Sequence, residues 1–179
     1  MSANRRLERM VLSALLLAIA LVLPLITGQL PQLGNVLCPM HLPVLLCGFF
    51  CGPWYGLAVG MISPLLRFLC FGVPSLLPTG VAMCFELAAY GFVSGLLYRV
   101  LPPKKSMIYV ALGAAMIAGR LVWGAVRVLL YGLGSSSFGW AAFLAGGFLN
   151  AIPGMVLQLV LIPLLVMAVE KTRFGTNLR

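Results

Sequence analysis

The sequence predicts an all-α integral membrane protein of six transmembrane helices with both termini in the cytoplasm. Three observations predict it. Of 179 residues, 62% are hydrophobic and 8% are charged, and mean hydropathy is +1.10, whereas a soluble domain carries about a quarter charged residues. The apolar residues fall into runs near the ~20 residues needed to cross a hydrocarbon core. The formal net charge of +9 is gathered in short flanks and a few buried positions. That distribution orients a membrane protein and does not form the solvated patch of a nucleic-acid binder, so no nucleic-acid partner is expected.

The first span covers Met10 to Ile26 and reaches Pro24 without an A-x-A-like cleavage site, so it reads as a retained helix. A loop rich in Gly, Pro and Gln follows, from Thr27 to Pro39. A short apolar stretch, Met40 to Cys51, ends at Gly52-Pro53, a turn signal. The third span runs from Trp54 to Phe71, and Val73 to Pro78 form a proline-bounded loop. The fourth runs from Thr79 to Leu101, before Pro102-Pro103-Lys104-Lys105. The fifth covers Met107 to Leu133, and the sixth, Gly139 to Val169, is long enough to tilt or to kink at Pro153 and Pro163. Neither an internal repeat nor a second domain divides residues 1–179.

The second stretch covers only ~18 Å at 1.5 Å per residue, short enough for a re-entrant segment. Charge placement decides for crossing. With six spans, Arg5, Arg6 and Arg9 share one side with Arg99, Lys104 and Lys105, and with Lys171, Arg173 and Arg179. The opposite loops then carry no Lys or Arg, as the positive-inside rule asks.

Arg67, Glu86, Arg120 and Arg127 remain inside apolar runs. A charge at mid-bilayer costs roughly 2.5–3.5 kcal/mol on insertion scales, so such groups face a partner or a cavity. Three positive charges against one negative leave an excess that an anionic ligand would meet. Counted from the outer helix ends, Arg67, Glu86 and Arg127 lie ~8–10 Å deep and Arg120 ~20 Å. Arg120, Trp123, Gly124, Arg127 and Tyr131 recur at helical spacing on one face, and Glu86 and Tyr90 stack at i, i+4. Asn150 is a polar residue at mid-outer depth of the sixth span, below Gly146 and Gly147.

Arginine presents a planar fork that matches a carboxylate or phosphate with two parallel hydrogen bonds. Glu86 suits an arginine or a hydroxyl or amide donor of the ligand, and Trp123 and Tyr90 suit apolar walls with a polar tip. His41, between Pro39 and Pro43, suits either a loop or cap role or a ligand contact. Other readings stand beside this one. Glu86 pairs with Arg67 or Arg127 to fix helix packing, Arg67 snorkels to the surface, and Asn150, Trp123 and Tyr131 serve helix contacts.

Enzyme chemistry finds little footing. There is one histidine, and among the five cysteines only Cys47 and Cys51 share a helical face, with no second pair at zinc-ligand spacing. Of the three acids, Glu8, Glu86 and Glu170, only Glu86 falls within a span, so paired carboxylate catalysis is not expected. No Walker-type phosphate loop occurs, and no metal or cofactor is expected.

In the first span Ser13, Ala14 and Ala18 give a small-x-x-x-small stripe suited to close helix approach, within the chain or toward a partner. With the six spans, the short second one, and the stretch Pro43 to Gly56 in which a proline-started helix meets Gly52-Pro53-Trp54-Tyr55-Gly56, the chain resembles the substrate-binding (S) components of energy-coupling factor (ECF) vitamin transporters. The resemblance covers essentially the whole length.

It implies a prokaryotic plasma-membrane protein that binds a vitamin near the outer face, under the loop between the first two spans. It implies partners too: a transmembrane coupling subunit and two cytoplasmic ATPases, with release by toppling in the bilayer. Gln29, Gln32 and Asn35 would belong to the lid loop, and Ala14 and Ala18 would match the alanine motif that contacts the coupling subunit. The arginine excess points to an acid, with pantothenate the best match and its carboxylate on Arg120 or Arg127. Folate, biotin and niacin also carry carboxylates. A queuosine precursor would use Glu86, and thiamine precursors or cobalamin stay open. A reading of another class is a membrane scaffold whose charges serve packing alone.

Overall fold

A computed structural model describes residues 3–27, 39–132 and 151–171, and all their regular structure is helical. Six α-helices follow in order: α1 (Ala3–Thr27), α2 (His41–Cys51), α3 (Pro53–Phe71), α4 (Val81–Val100), α5 (Lys105–Gly132) and α6 (Ile152–Glu170). Five are long and apolar enough to cross a membrane, and α2, at 11 residues, is the short one. α1 begins at Ala3, well before the apolar run, because its first turns carry helix-forming charged residues.

Local chemistry sets the boundaries. Gly52 ends α2 at φ +103°, a conformation glycine adopts without strain, and its N–H reaches the Cys47 and Gly48 carbonyls. Pro53 then opens α3 at the one helical position where its missing N–H costs nothing. Gly72 closes α3 in the left-handed region, its N–H on the Phe68 carbonyl at 2.8 Å. Leu101 leaves α4 extended ahead of Pro102, as the residue before a proline prefers.

α4 is the centre of the bundle and packs against α2, α3 and α5. Glycines bring the backbones together. A Cβ on Gly56 or Gly91 would strike the other's carbonyl, and one on Gly60 would strike Leu87. Gly48 lies against Gly91 and Ser94, and Gly95 against Gly48 and Gly52. Such close crossings replace the hydrophobic drive that lipid does not supply between helices.

These contacts also fix direction. Gly56 and Gly60 meet Gly91 and Leu87 in reverse order, so α3 runs antiparallel to α4. His41 meets Tyr90, Gly48 meets Gly91, and Cys51 meets Arg99, so α2 runs parallel to α4. Gly119 meets Tyr90 and Arg127 meets Thr79, which makes α5 antiparallel. At the far end of α4 the Tyr98 hydroxyl donates to Glu170 at the end of α6, and Arg99 Nη2 donates to the Cys51 carbonyl at 3.0 Å. Arg9 lies close enough to Arg99 for their charges to repel, which puts the start of α1 at this same end.

Candidate functional site

Glu86 sits on the second turn of α4 and is 2% exposed. Arg120, on α5, is 4% exposed and brings Nη1 to 2.9 Å from Glu86 Oε1. His41 Nε2 lies 3.5 Å from the same oxygen. The Arg120 contact is an ion pair off the hydrogen-bond direction, and Oε1 accepts no aligned hydrogen bond among the described residues. The charges cancel, while acceptor capacity remains on the carboxylate.

The neighbours hold this pair in place. The His41 ring meets the Tyr90 ring edge-on, with centroids 5.0 Å apart and planes at 84°. Tyr90 is fully buried and lies one turn below Glu86 on the same face. A Cβ on Gly119 would come within 2.6 Å of the Tyr90 ring, so glycine there lets α5 close on α4 and delivers the next residue, Arg120, to Glu86. His41 is the first residue of α2 and is buried, so it is a bundle histidine and not a loop one.

Arg127 makes a second station, nearer the helix ends. Its guanidinium carbon lies 4.9 Å from the centroid of the Trp123 ring and 5.7 Å from that of Tyr131. Nη1 donates to the Tyr131 hydroxyl at 3.1 Å and Nη2 to Thr79 Oγ1 at 3.5 Å. A cation held over aromatic faces gains ~0.5–2 kcal/mol, which fixes the fork in one plane. Trp123 is buried and Arg127 half-buried.

Arg67, on α3, is partly buried, and its Nη1 is enclosed without a hydrogen-bond partner among the described residues. The pairing of Glu86 with Arg67 or Arg127 expected as a packing device is replaced by pairing with Arg120 and His41. Depths counted from helix ends placed Arg120 below Glu86; α5 runs on past the start of α4, so the antiparallel register that sets Arg127 beside Thr79 also sets Arg120 level with Glu86.

Ala14 and Ala18 are exposed on α1, on the face turned away from α2 and α3. Asn150 and the lid residues Gln29, Gln32 and Asn35 lie outside the described residues. Thr79 and Gln158 are polar groups that the sequence reading missed. Thr79 was legible as the first residue of the fourth span, opposite Arg127 in an antiparallel pair.

No curated protein and no solved structure matches the chain. The family model described as "ECF transporter, substrate-specific component" matches residues 8–166. A match over nearly the whole chain, together with several apolar helices, makes this a multi-pass membrane protein that belongs to the substrate-specific components of ECF transporters, subunits that bind a small molecule and work with coupling and ATPase subunits.

Proposed function

We propose that the protein captures a small carboxylate vitamin or vitamin precursor, with pantothenate the best match, from outside a prokaryotic cell. It delivers this cargo through a transmembrane coupling subunit driven by two ATPases. One observation carries the substrate class. Arg120 pairs with Glu86, and the four charged groups inside the apolar runs, Arg67, Glu86, Arg120 and Arg127, carry three formal positive charges against one negative. Arg127, with its fork set between Trp123 and Tyr131, is the anchor for the acid. Glu86 Oε1 and His41 keep acceptor capacity for hydroxyl or amide donors of the same ligand.

In this reading six spans place both termini in the cytoplasm. The alternating helix directions support it, as does the gathering of Arg99, Lys104, Lys105 and Lys171 around one end of the bundle. The anion station then opens to the outside, and the same reading assigns Gln29, Gln32 and Asn35 to a lid loop and Asn150 to the ligand contacts.

A thermal-shift screen of the purified protein in detergent, against vitamins, vitamin precursors and queuosine precursors, tests the proposal. A stabilisation that grows with the concentration of a carboxylate vitamin supports it. A cationic base as the sole stabiliser makes Glu86 the anchor and overturns the acid. No stabilisation by any compound favours the scaffold.

A further inference from the structure

We infer that Gln158 is a specificity-determining residue of this site, reading a hydroxyl or N–H donor on the part of the ligand remote from its acid; the inference rests on the small-carboxylate reading above. Gln158 lies on α6 in a buried stripe with Gly154, Ile162 and Val166, spaced one turn apart, and it is the polar member of that stripe. The face packs against α2 and α5. Gln158 is 1% exposed, and its Oε1 has no hydrogen-bond partner among the described residues. A buried amide carbonyl in apolar surroundings needs a donor.

Register shows which groups it stands with. Tyr98 of α4 bonds Glu170 of α6 near the end of both helices. From there α6 runs back along the bundle, because its buried residues recur from Val166 to Gly154. Gln158 is twelve residues before Glu170, and Glu86 is twelve before Tyr98. At 1.5 Å per residue both stand about 18 Å from the Tyr98–Glu170 bond, which makes them level.

His41 joins them at this level from α2. Its Nε2 faces the Glu86 carboxylate and is therefore assigned the proton, which leaves Nδ1 as an acceptor. His41 is 3% exposed, and Nδ1 has no hydrogen-bond partner among the described residues. Three helices thus bring acceptors to one layer: Gln158 Oε1, His41 Nδ1 and Glu86 Oε1. Arg127 lies toward the helix ends. The complementary ligand is an acid at one end and a donor-bearing polar group at the other. Pantothenate has that chemistry; an acid with an apolar tail does not.

The test uses Gln158→Met, which keeps side-chain length and removes the carbonyl, with two probes: pantothenate and its analogue lacking both hydroxyls. We expect the ligand-free variant to melt at or above the wild type, because a buried acceptor without a donor has been replaced by an apolar group of similar shape. It should bind pantothenate about tenfold more weakly, the effect of one lost hydrogen bond, and bind the dideoxy analogue as the wild type does. Wild-type affinity for pantothenate, or equal weakening for both probes, overturns the inference. A ligand-free midpoint several degrees lower also overturns it, since Gln158 is then bonded within the protein. If the wild type binds neither probe, pantothenate is not the cargo, and the screen of the other carboxylate vitamins decides the carboxylate reading separately. The ligand-free midpoint still decides for Gln158: unchanged or higher keeps it as an acceptor for a ligand of another class, and lower removes it.

Discussion

Arg120 and Glu86 form a buried ion pair between α5 and α4, with Nη1 2.9 Å from Oε1 and both residues nearly sealed from solvent. Burial decides what the pair contributes. Taking two charges out of water costs several kcal/mol per ion, so the pair adds little net stability, while removing one partner strands the other. Glu86→Gln and Arg120→Met should each destabilise the protein by about 3–5 kcal/mol, and the double substitution Glu86→Leu with Arg120→Met should recover most of that loss. Unfolding of the single and double variants in detergent measures the coupling. Additive losses would show that the two charges do not depend on each other.

Arg127 and Arg67 separate by environment. Arg127 is braced by Trp123, Tyr131 and Thr79, so its fork is held in one orientation, as the proposed anchor for an acid requires. Arg67 has no such brace among the described residues. Arg127→Ala should weaken ligand binding by about ten- to a hundredfold, the range for a lost hydrogen bond to a charged group, and Arg67→Ala should weaken it less. Titration of both variants with the ligand found in the screen ranks them. Wild-type affinity in both would remove the anion station.

Much of this site was legible because a charge inside an apolar run has few explanations. Arg67, Glu86, Arg120 and Arg127 stood out on that ground, and the helical face through Trp123 and Tyr131 followed from spacing. Partner choice was not legible. It depends on the register of α5 on α4, which sets Arg120 beside Glu86 and Arg127 beside Thr79, whereas counting residues from helix ends assumes that both helices end at one level. His41 read as a loop or cap residue because its place beside Tyr90 is set by the register of α2 on α4, through Gly48 and Gly91. Gln158 is a single polar residue in a run of apolar ones, and its face is defined only once Tyr98 meets Glu170.

The glycines that set this register were visible as Gly56-x-x-x-Gly60 and Gly91-x-x-x-Gly95, yet the sequence reading took its small-residue stripe from the first span. They make a sharp contrast with a glycine in open space. At Gly91 the obstacle is the Gly56 backbone, which cannot swing aside as a side chain would. Gly91→Ala should cost ~1–3 kcal/mol or more through overpacking. Gly113, on α5, has nothing within 4 Å of an added Cβ, so Gly113→Ala should gain roughly 0.5–1 kcal/mol of helix propensity. Thermal unfolding of the two variants should move in opposite directions. A stabilised Gly91→Ala would show that α3 and α4 do not cross at that point.

Ala14 and Ala18 lie one turn apart on the exposed face of α1, while Ser13, Leu16 and Ala20 turn inward. Substitution at the two alanines therefore leaves the bundle intact and changes only what can approach α1 from outside. Small side chains at that spacing give a flat track on which another helix can lie close, and a bulky ring closes the track. If the coupling subunit docks there, Ala14→Trp and Ala18→Trp should bind ligand with wild-type affinity and lose most uptake in cells or proteoliposomes that contain the coupling and ATPase subunits. Co-purification with the coupling subunit should fall in step with uptake. Lost ligand binding would instead mean that the ring had disturbed the fold. Full uptake by both variants would place the docking surface elsewhere, because no close helix contact over Ala14 and Ala18 survives an indole at either position.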